Sequence, residues 1–180
     1  TIDVHETRRN ETRHLASIQA HQSGISGMEF TENGSHLVTV GSDRQIKVLD
    51  CSTQQNVLTI PKGKGNPHKV GISSVNVCEE NVIVTGDDDG KICLWDLRQQ
   101  AATAKYFEHA DYVSQLLYFS EMKHIVSTSG DTCIGAFDMR KGECIEFSEP
   151  RKEELSCMAY IPASNDVICG TPTGNLPVFK

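Results

Sequence analysis

Residues 85–98 read TGDDDGKICLWDLR, and this stretch decides the fold. Apolar residues precede its turn at Val82 and Val84 and return at Ile92, on the other side of Asp89-Gly90. An Asp-Gly pair between two apolar runs is a strong signal for a β-hairpin, because glycine adopts positive φ without a Cβ clash. The stretch therefore predicts two antiparallel strands joined by a tight turn.

The same pattern recurs along the chain at a regular interval. A histidine opens each unit, and these histidines are spaced by 47 and 41 residues: His21, His68 and His109. A turn aspartate recurs at intervals of 46 and 42 residues: Asp43, Asp89 and Asp131. A period of about 40–45 residues with four short strands per unit is typical of a β-propeller blade.

The repeats predict an all-β chain with about four blades of a larger propeller, in one domain. Residues 1–20 are predicted to form outer strands of a preceding, incomplete blade, with strands at 1–4 and 15–18 around a polar loop. Blades are predicted at 21–67, 68–108 and 109–150, and a degenerate, incomplete blade at 151–180. Because such a fragment leaves strand edges open, we expect it to self-associate.

Each complete unit carries a histidine, a hydroxyl and an aspartate at matching distances. The predicted structural networks are His21, Thr39 and Asp43; His68, Thr85, Asp89 and Trp95; and His109, Ser127 and Asp131. These sets resemble the hydrogen-bond network of WD-repeat blades. The resemblance implies that histidine bridges the carboxylate and the hydroxyl, and that the hydroxyl bonds an indole N–H. Leu49 and Phe137 replace the tryptophan in the first and third units, which leaves three members there.

The fourth unit departs from this pattern. Arg151, Cys169 and Thr173 stand at the positions of the histidine, the hydroxyl and the aspartate. None of these side chains can reproduce the network. We therefore expect this blade to hold together by packing alone and to be the least stable of the four.

A catalytic site is the alternative interpretation of a set of histidine, hydroxyl and aspartate. A hydrolase needs one such set beside an oxyanion hole, whereas this set recurs at a structural period and twice contains threonine. The run of Asp87, Asp88 and Asp89 lacks the spacing of a calcium loop. The seven cysteines form no CxxC pair and are predicted to be buried structural thiols. The sequence predicts no enzyme activity, no cofactor and no metal site.

The charge balance restricts the classes of partner. A net charge of -7 argues against a broad nucleic-acid-binding surface, because phosphate contacts need clustered cations. One basic loop contains Lys62, Lys64, His68 and Lys69, and it is either a solvated loop or a phosphate or RNA contact. No apolar run approaches the roughly 18 residues of a membrane span, so no membrane contact is predicted.

Longer segments resemble one family in particular. GDDDGKICLWDLR and TSGDTCIGAFDMR, together with HQSGISGMEF and ICGTPTGNLPVF, resemble the WD repeat-containing protein 55 family and its fungal counterparts. The resemblance implies a scaffold without catalytic activity that acts in ribosomal RNA processing and ribosome biogenesis. It also implies protein partners among pre-ribosomal factors and a location in the nucleus and nucleolus, with the cytoplasm left open.

A second class of function is left open by the sequence. Residues 95–98, WDLR, resemble the WDxR box of substrate receptors of cullin–RING ubiquitin ligases. In that case Arg98 would face the ligase adaptor. The alternative is an exposed arginine after a strand.

By analogy with the WD-repeat family, three positions per blade point outward on one rim. They are Gly24, Ser26, Ser42, Gly71, Ser73, Asp88, Tyr112, Ser114 and Gly130. Tyr112 is the one aromatic residue among them, and tyrosine is enriched among interface hot spots. We expect Tyr112 and Asp88 to contact a protein partner, with Ser73 and Ser114 beside them. The competing interpretation is that Tyr112 lies flat on the neighbouring blade.

Overall fold

The computed structural model describes residues 1–9, 11–63 and 65–180, and all of its regular elements are β-strands. The chain begins with a hairpin of two strands, β1 (Ile2–Arg8) and β2 (Glu11–Ile18). The predicted polar loop at 5–14 is therefore wrong, because its described residues pair as strand. Within the described ranges, no helix is long and apolar enough to cross a membrane.

Four antiparallel sheets follow, which we call blades 1 to 4. Blade 1 contains β3 (Ile25–Phe30), β4 (His36–Gly41), β5 (Ile46–Asp50) and β6 (Gln55–Ile60). Blade 2 contains β7 (Ile72–Glu79), β8 (Val82–Asp87), β9 (Ile92–Asp96) and β10 (Ala101–Tyr106). Blade 3 contains β11 (Val113–Phe119), β12 (His124–Ser129), β13 (Ile134–Asp138) and β14 (Glu143–Phe147). Blade 4 contains β15 (Cys157–Ile161), β16 (Asp166–Gly170) and β17 (Val178–Phe179).

Every blade is a meander in which each strand pairs with the next strand along the chain. The predicted hairpin at Asp89-Gly90 forms between β8 and β9, and Gly90 adopts a φ of 81°. Only glycine takes this conformation without strain. The architecture is that of a WD-type β-propeller, as the sequence predicts.

The hydrophobic cores lie between successive blades. Val38, Val40 and Ile46 of blade 1 pack against Ile83 and Trp95 of blade 2. A second core contains the following side chains from blades 2 and 3: Val84, Ile92, Leu94, Tyr106, Val113, Leu116, Ile125 and Phe137. Because side chains alternate between the two faces of a strand, blade 2 contributes one face to each of these two cores.

The cysteines are distributed differently from the prediction. All seven are free thiols, and Cys93, Cys133 and Cys169 are buried. Burial raises the pKa of the Cys93 thiol to about 12, which makes it unreactive. Cys51 and Cys157 are exposed, so the prediction of buried thiols is wrong for these two positions.

Serine hydroxyls on the inner strands join one blade to the next. Ser73 donates to the carbonyl of Val113 at 2.7 Å, and Ser114 donates to the carbonyl of Leu155 at 2.5 Å. Both serines occupy the same position after their histidines. These bonds engage the hydroxyls of Ser73 and Ser114 inside the fold, which leaves them no free donor for a partner.

We predict that Ser73→Ala lowers the free energy of unfolding by about 1 kcal/mol, because a hydrogen bond between blades is lost. Ser26 is the matched control, since it has the same position in blade 1 and is exposed. Ser26→Ala should change stability by less than about 0.5 kcal/mol. Denaturant unfolding of both variants measures the difference, and equal losses would contradict the assigned role of Ser73.

Candidate functional site

The histidine loops and the aspartate turns lie at one end of every complete blade. In blade 2, β7 begins at Ile72, β8 ends at Asp87 and β10 ends at Tyr106, so the antiparallel order brings these ends together. We call this end the histidine rim. In blades 1 to 3 it comprises residues 20–25, 41–46, 60–63, 65–72, 87–92, 106–113 and 129–134. The turn after β9, which carries Arg98, lies at the opposite end.

The predicted networks of blades 1 and 3 have the expected geometry. His21 Nδ1 lies 2.9 Å from Asp43 Oδ1, and its Nε2 lies 2.9 Å from Thr39 Oγ1. His109 Nδ1 lies 2.8 Å from Asp131 Oδ2, and its Nε2 lies 2.6 Å from Ser127 Oγ. Each histidine ties its loop to a strand and to a turn.

Blade 2 has a different carboxylate from the predicted one. His68 Nδ1 lies 2.7 Å from Asp87 Oδ2, and not against Asp89. Asp87 is fully buried and also accepts the backbone N–H groups of Asp89 and Lys91 at 3.1 and 2.9 Å. Asp89 is exposed on the turn. The assignment of Asp89 to the network is therefore corrected to Asp87.

Strand geometry explains why Asp87, and not Asp89, bonds His68. Thr85 and Asp87 are two residues apart on β8, so their side chains point to the same face and both reach His68. Blade 1 has Gly41 at this position, where a Cβ atom would approach the carbonyl oxygen of Gly24 to 2.3 Å. Blade 1 therefore takes its carboxylate from Asp43, two residues later.

The remaining contacts of blade 2 match the prediction. His68 Nε2 lies 2.7 Å from Thr85 Oγ1, and the indole N–H of Trp95 donates to the same oxygen at 2.8 Å. Because a carboxylate only accepts, His68 must donate to Asp87 from Nδ1. Thr85 then donates its hydroxyl proton to Nε2 while it accepts from the indole. This assignment makes His68 the neutral Nδ1–H tautomer.

Burial and hydrogen bonding shift the pKa values of the network carboxylates in opposite directions. Burial alone raises the pKa of the Asp87 carboxyl, but the hydrogen bonds from His68 and from the backbone N–H of Lys91 outweigh it, and the pKa lies below the usual 3.8. The pKa of Asp131 is likewise lowered, since N–H groups of Ala110 and Cys133 outweigh burial. Burial lowers the pKa of His109 below 6.5 despite the neighbouring Asp131.

Blade 4 replaces the network with other polar contacts. The Arg151 guanidinium lies 4.3 Å from the centroid of the Phe179 ring, a cation–π contact. The Asn175 amide donates to the Glu153 carboxylate at 3.0 and 3.1 Å, and to the Thr173 hydroxyl at 3.1 Å. Packing alone is therefore not what holds this blade, contrary to the sequence-based expectation.

Residues predicted to face outward pair with one another across the rim. In each complete blade, a backbone N–H donates to a backbone carbonyl at 3.0 Å: Ser42 to Gly24, Asp88 to Gly71, and Gly130 to Tyr112. Wherever one member is large, the other is glycine. A Cβ on Gly130 would lie 2.3 Å from the Tyr112 ring, and one on Gly71 would lie 2.6 Å from Asp88 Oδ2.

Tyr112 lies flat on the rim of its own blade, and not on the neighbouring blade as the competing interpretation held. Its ring covers Gly130, and its hydroxyl donates to the Glu154 carboxylate of the neighbouring loop at 3.2 Å. Asp88 is exposed, and burial with the charges of Asp87 and Asp89 raises its pKa. The structure therefore places Tyr112 and Asp88 on one rim and separates both from Arg98.

The residues of the predicted basic loop differ in their exposure to solvent. Lys62 and Lys69 are exposed, whereas His68 is buried in its network. Lys64 lies outside the described residues. His68 is therefore not available to a phosphate.

The family comparison agrees with this geometry. Residues 12–50 and 61–96 match the family described as WD domain, G-beta repeat. The chain contains WD repeats.

Longer similarities extend over nearly the whole chain. It is 31% identical to WD repeat-containing protein 55 of Homo sapiens over 96% of this chain and 44% of that protein. It is 32% identical to the Rattus norvegicus protein over 99% of this chain and 46% of that one. This WD-repeat chain therefore spans less than half the length of the curated relatives it matches. The sequence-based resemblance to the protein 55 family is confirmed.

Solved structures with the same fold are more distant in sequence. RRP9 WD40 repeats superpose with a TM-score of 0.77 at 16% identity, over 89% of this WD-repeat chain and 52% of that chain. The computationally designed Ika4 protein superposes with a TM-score of 0.75 at 21% identity, over 91% of this chain and 94% of that chain. These likenesses support the propeller fold.

We predict that Asp87→Ala lowers the free energy of unfolding by about 3 kcal/mol, because it leaves His68 and two backbone N–H groups without their acceptor. Asp89→Ala is the matched control on the same turn, and it should cost less than about 0.5 kcal/mol. Denaturant melts of both variants measure this. A larger loss of stability for Asp89→Ala would show that Asp89, as predicted from the sequence, is the carboxylate of the network.

Acidification should destabilise the fold in two steps. His109 has a lowered pKa, so the unfolded chain takes up a proton first, and stability falls as the pH drops below 6.5. The lowered pKa values of Asp87 and Asp131 remove further stability as the pH falls below 3.8. Unfolding measured at a series of pH values tests this, with His109→Gln flattening the first step. If the stability of the His109→Gln variant still falls below pH 6.5, a group other than His109 causes the first step.

Proposed function

We propose that this chain is part of a non-catalytic protein-interaction scaffold that acts in ribosomal RNA processing and ribosome biogenesis, in the nucleus and nucleolus. The observation that carries the proposal is the similarity to WD repeat-containing protein 55 across 96–99% of this chain. The resemblance of its sequence motifs to that family implies this role. The histidine rim supplies a surface to which a protein partner could bind.

The burial of the polar networks supports a non-catalytic role. The hydroxyl-bearing residues Thr39, Thr85 and Ser127 are fully buried, and each hydroxyl is bonded to its histidine. A nucleophilic hydroxyl must reach a substrate, and none of these three can do so. The networks are therefore assigned to holding loops and turns in place.

The rim around Tyr112 is the proposed contact surface for a protein partner. The Tyr112 ring is fixed in advance by Gly130 below it and by Glu154 beside it. A side chain that is already ordered loses little conformational entropy on binding. Exposed Asp88 belongs to the same rim and adds negative charge, so a partner with cationic side chains fits this surface.

The ligase-receptor hypothesis receives no such support. Arg98 Nη2 lies 3.4 Å from Asp96 Oδ2, and 71% of the Arg98 side chain is exposed. Arg98 also lies at the opposite end of the blade from Tyr112 and Asp88. An exposed arginine paired with the preceding aspartate is what the geometry of this turn produces.

Affinity capture with the tagged full-length protein tests the proposed function. We expect pre-ribosomal particles to be recovered, and depletion of the protein to cause precursor ribosomal RNA to accumulate. Recovery of a cullin–RING adaptor without pre-ribosomal particles would contradict the proposal, as would unchanged RNA processing after depletion.

We predict that Tyr112→Ala weakens partner capture by at least about 2 kcal/mol, or about 30-fold, because a preformed aromatic contact is removed. The fold should lose less than about 1 kcal/mol. Tyr118→Ala is the control, since its hydroxyl also donates to a carboxylate at 3.2 Å, that of Glu79, but away from the rim. Undiminished capture by a folded Tyr112→Ala, Asp88→Ala double variant would place the binding site elsewhere.

A further inference from the structure

Three cationic residues lie on the loops where blade 1 joins blade 2 on the histidine rim. Arg44 comes from the turn between β4 and β5, and Lys62 and Lys69 come from the loop between β6 and β7. We call Arg44, Lys62 and Lys69 the cationic patch. Lys62 and Lys69 are exposed, and Arg44 is partly exposed.

Hydrogen bonds hold the turn and the loop of this patch together. Arg44 Nη1 donates to the carbonyl oxygen of Lys69 at 3.0 Å. The buried amide of Asn66 donates to the carbonyl oxygens of Arg44 and Pro61 at 3.0 and 3.3 Å, and its Oδ1 accepts the N–H of His68. The backbone segments that carry the three charges are therefore positioned before any ligand arrives.

The charges of the patch are not neutralised within the fold. Among the described residues, no carboxylate lies within ion-pair distance of Arg44, Lys62 or Lys69. Some other cations of the chain are paired, as Lys91 is with Asp87 and Lys123 with Glu79. In a chain of net charge -7, three unpaired cations joined by hydrogen-bonded loops form a local site for an anion.

The surroundings of the patch favour phosphate over an acidic peptide. None of the described residues from 61 to 71 is an exposed large hydrophobic side chain, whereas peptide recognition depends on buried apolar anchors. Gly63 and Gly65 adopt φ values of 115° and 94°, and a Cβ at either would meet nothing within 4 Å. An extended ligand can therefore approach the loop backbone closely.

We propose that the cationic patch binds the phosphate backbone of a nucleic acid, without reading its sequence. Lysine, arginine and backbone N–H groups supply most contacts to phosphates, and such contacts position a nucleic acid rather than specify it. Asp88 borders the patch, because its carboxylate lies against Gly71, two residues after Lys69. Its negative charge weakens phosphate binding. The patch requires neither Tyr112 nor the protein partner proposed for it.

Fluorescence anisotropy tests the proposal with the 180-residue chain and a labelled oligouridylate of about 20 nucleotides at low ionic strength. The test variant is Lys62→Gln, Lys69→Gln, and the matched control is Lys105→Gln, Lys141→Gln, which removes the same charge elsewhere. We expect the test variant to bind at least about tenfold more weakly and its salt dependence to fall by about 1.4 in slope. The control should change affinity less than about twofold.

Two further measurements discriminate between the outcomes. Asp88→Asn should strengthen oligouridylate binding, because a repulsive charge is removed, and an unchanged affinity would contradict the location of the patch. Polyglutamate of matched charge should bind more weakly than the oligouridylate. Equal losses for the test and control variants, no binding by the unaltered chain, or tighter binding of polyglutamate would overturn the proposal.

Discussion

The structure depends on a buried imidazole held between a carboxylate and a hydroxyl. A buried carboxylate is costly unless it is paired, and a buried hydroxyl or N–H without a partner costs roughly 1–3 kcal/mol. The network satisfies all of these groups at once, as at His68, Thr85 and Asp87. It joins a loop, a strand and a turn that lie far apart in sequence. The positions of the rim residues, including Tyr112 and Lys69, follow from where these networks place the loops.

The blades differ in how completely this interaction is built. Blade 2 adds the Trp95 indole to the hydroxyl, and its tryptophan also fills the core against blade 1. Blade 3 has Phe137 in place of the tryptophan, and this ring packs on Tyr106 instead of donating a hydrogen bond. Blade 4 uses Arg151 on Phe179 and a surface network around Asn175. Stability is therefore expected to be highest in the middle of the chain and lowest at blade 4.

Periodic features of the fold could be predicted from the sequence, and features set by side-chain direction could not. The spacing of His21, His68 and His109 predicts the blades because each blade repeats the same four-strand unit. The choice between Asp87 and Asp89 could not be read from three consecutive aspartates, since both lie an even number of residues from Thr85 and only the end of β8 at Asp87 separates them. The hydrogen bond of the Ser73 hydroxyl could not be predicted either, because its acceptor, the carbonyl of Val113, belongs to another blade.

Each buried histidine of the networks is a neutral Nδ1–H tautomer that donates to aspartate and accepts from a hydroxyl. Long-range proton–nitrogen NMR correlation of the imidazoles near neutral pH measures this directly. For His21, His68 and His109 we expect a protonated Nδ1, an unprotonated Nε2, and slow exchange of the Nδ1 proton with solvent. Asp87→Asn should abolish the slow exchange at His68, whereas Asp89→Asn should leave it unchanged. A protonated Nε2 on His68, or a loss of slow exchange caused by Asp89→Asn alone, would show that His68 does not donate from Nδ1 to Asp87.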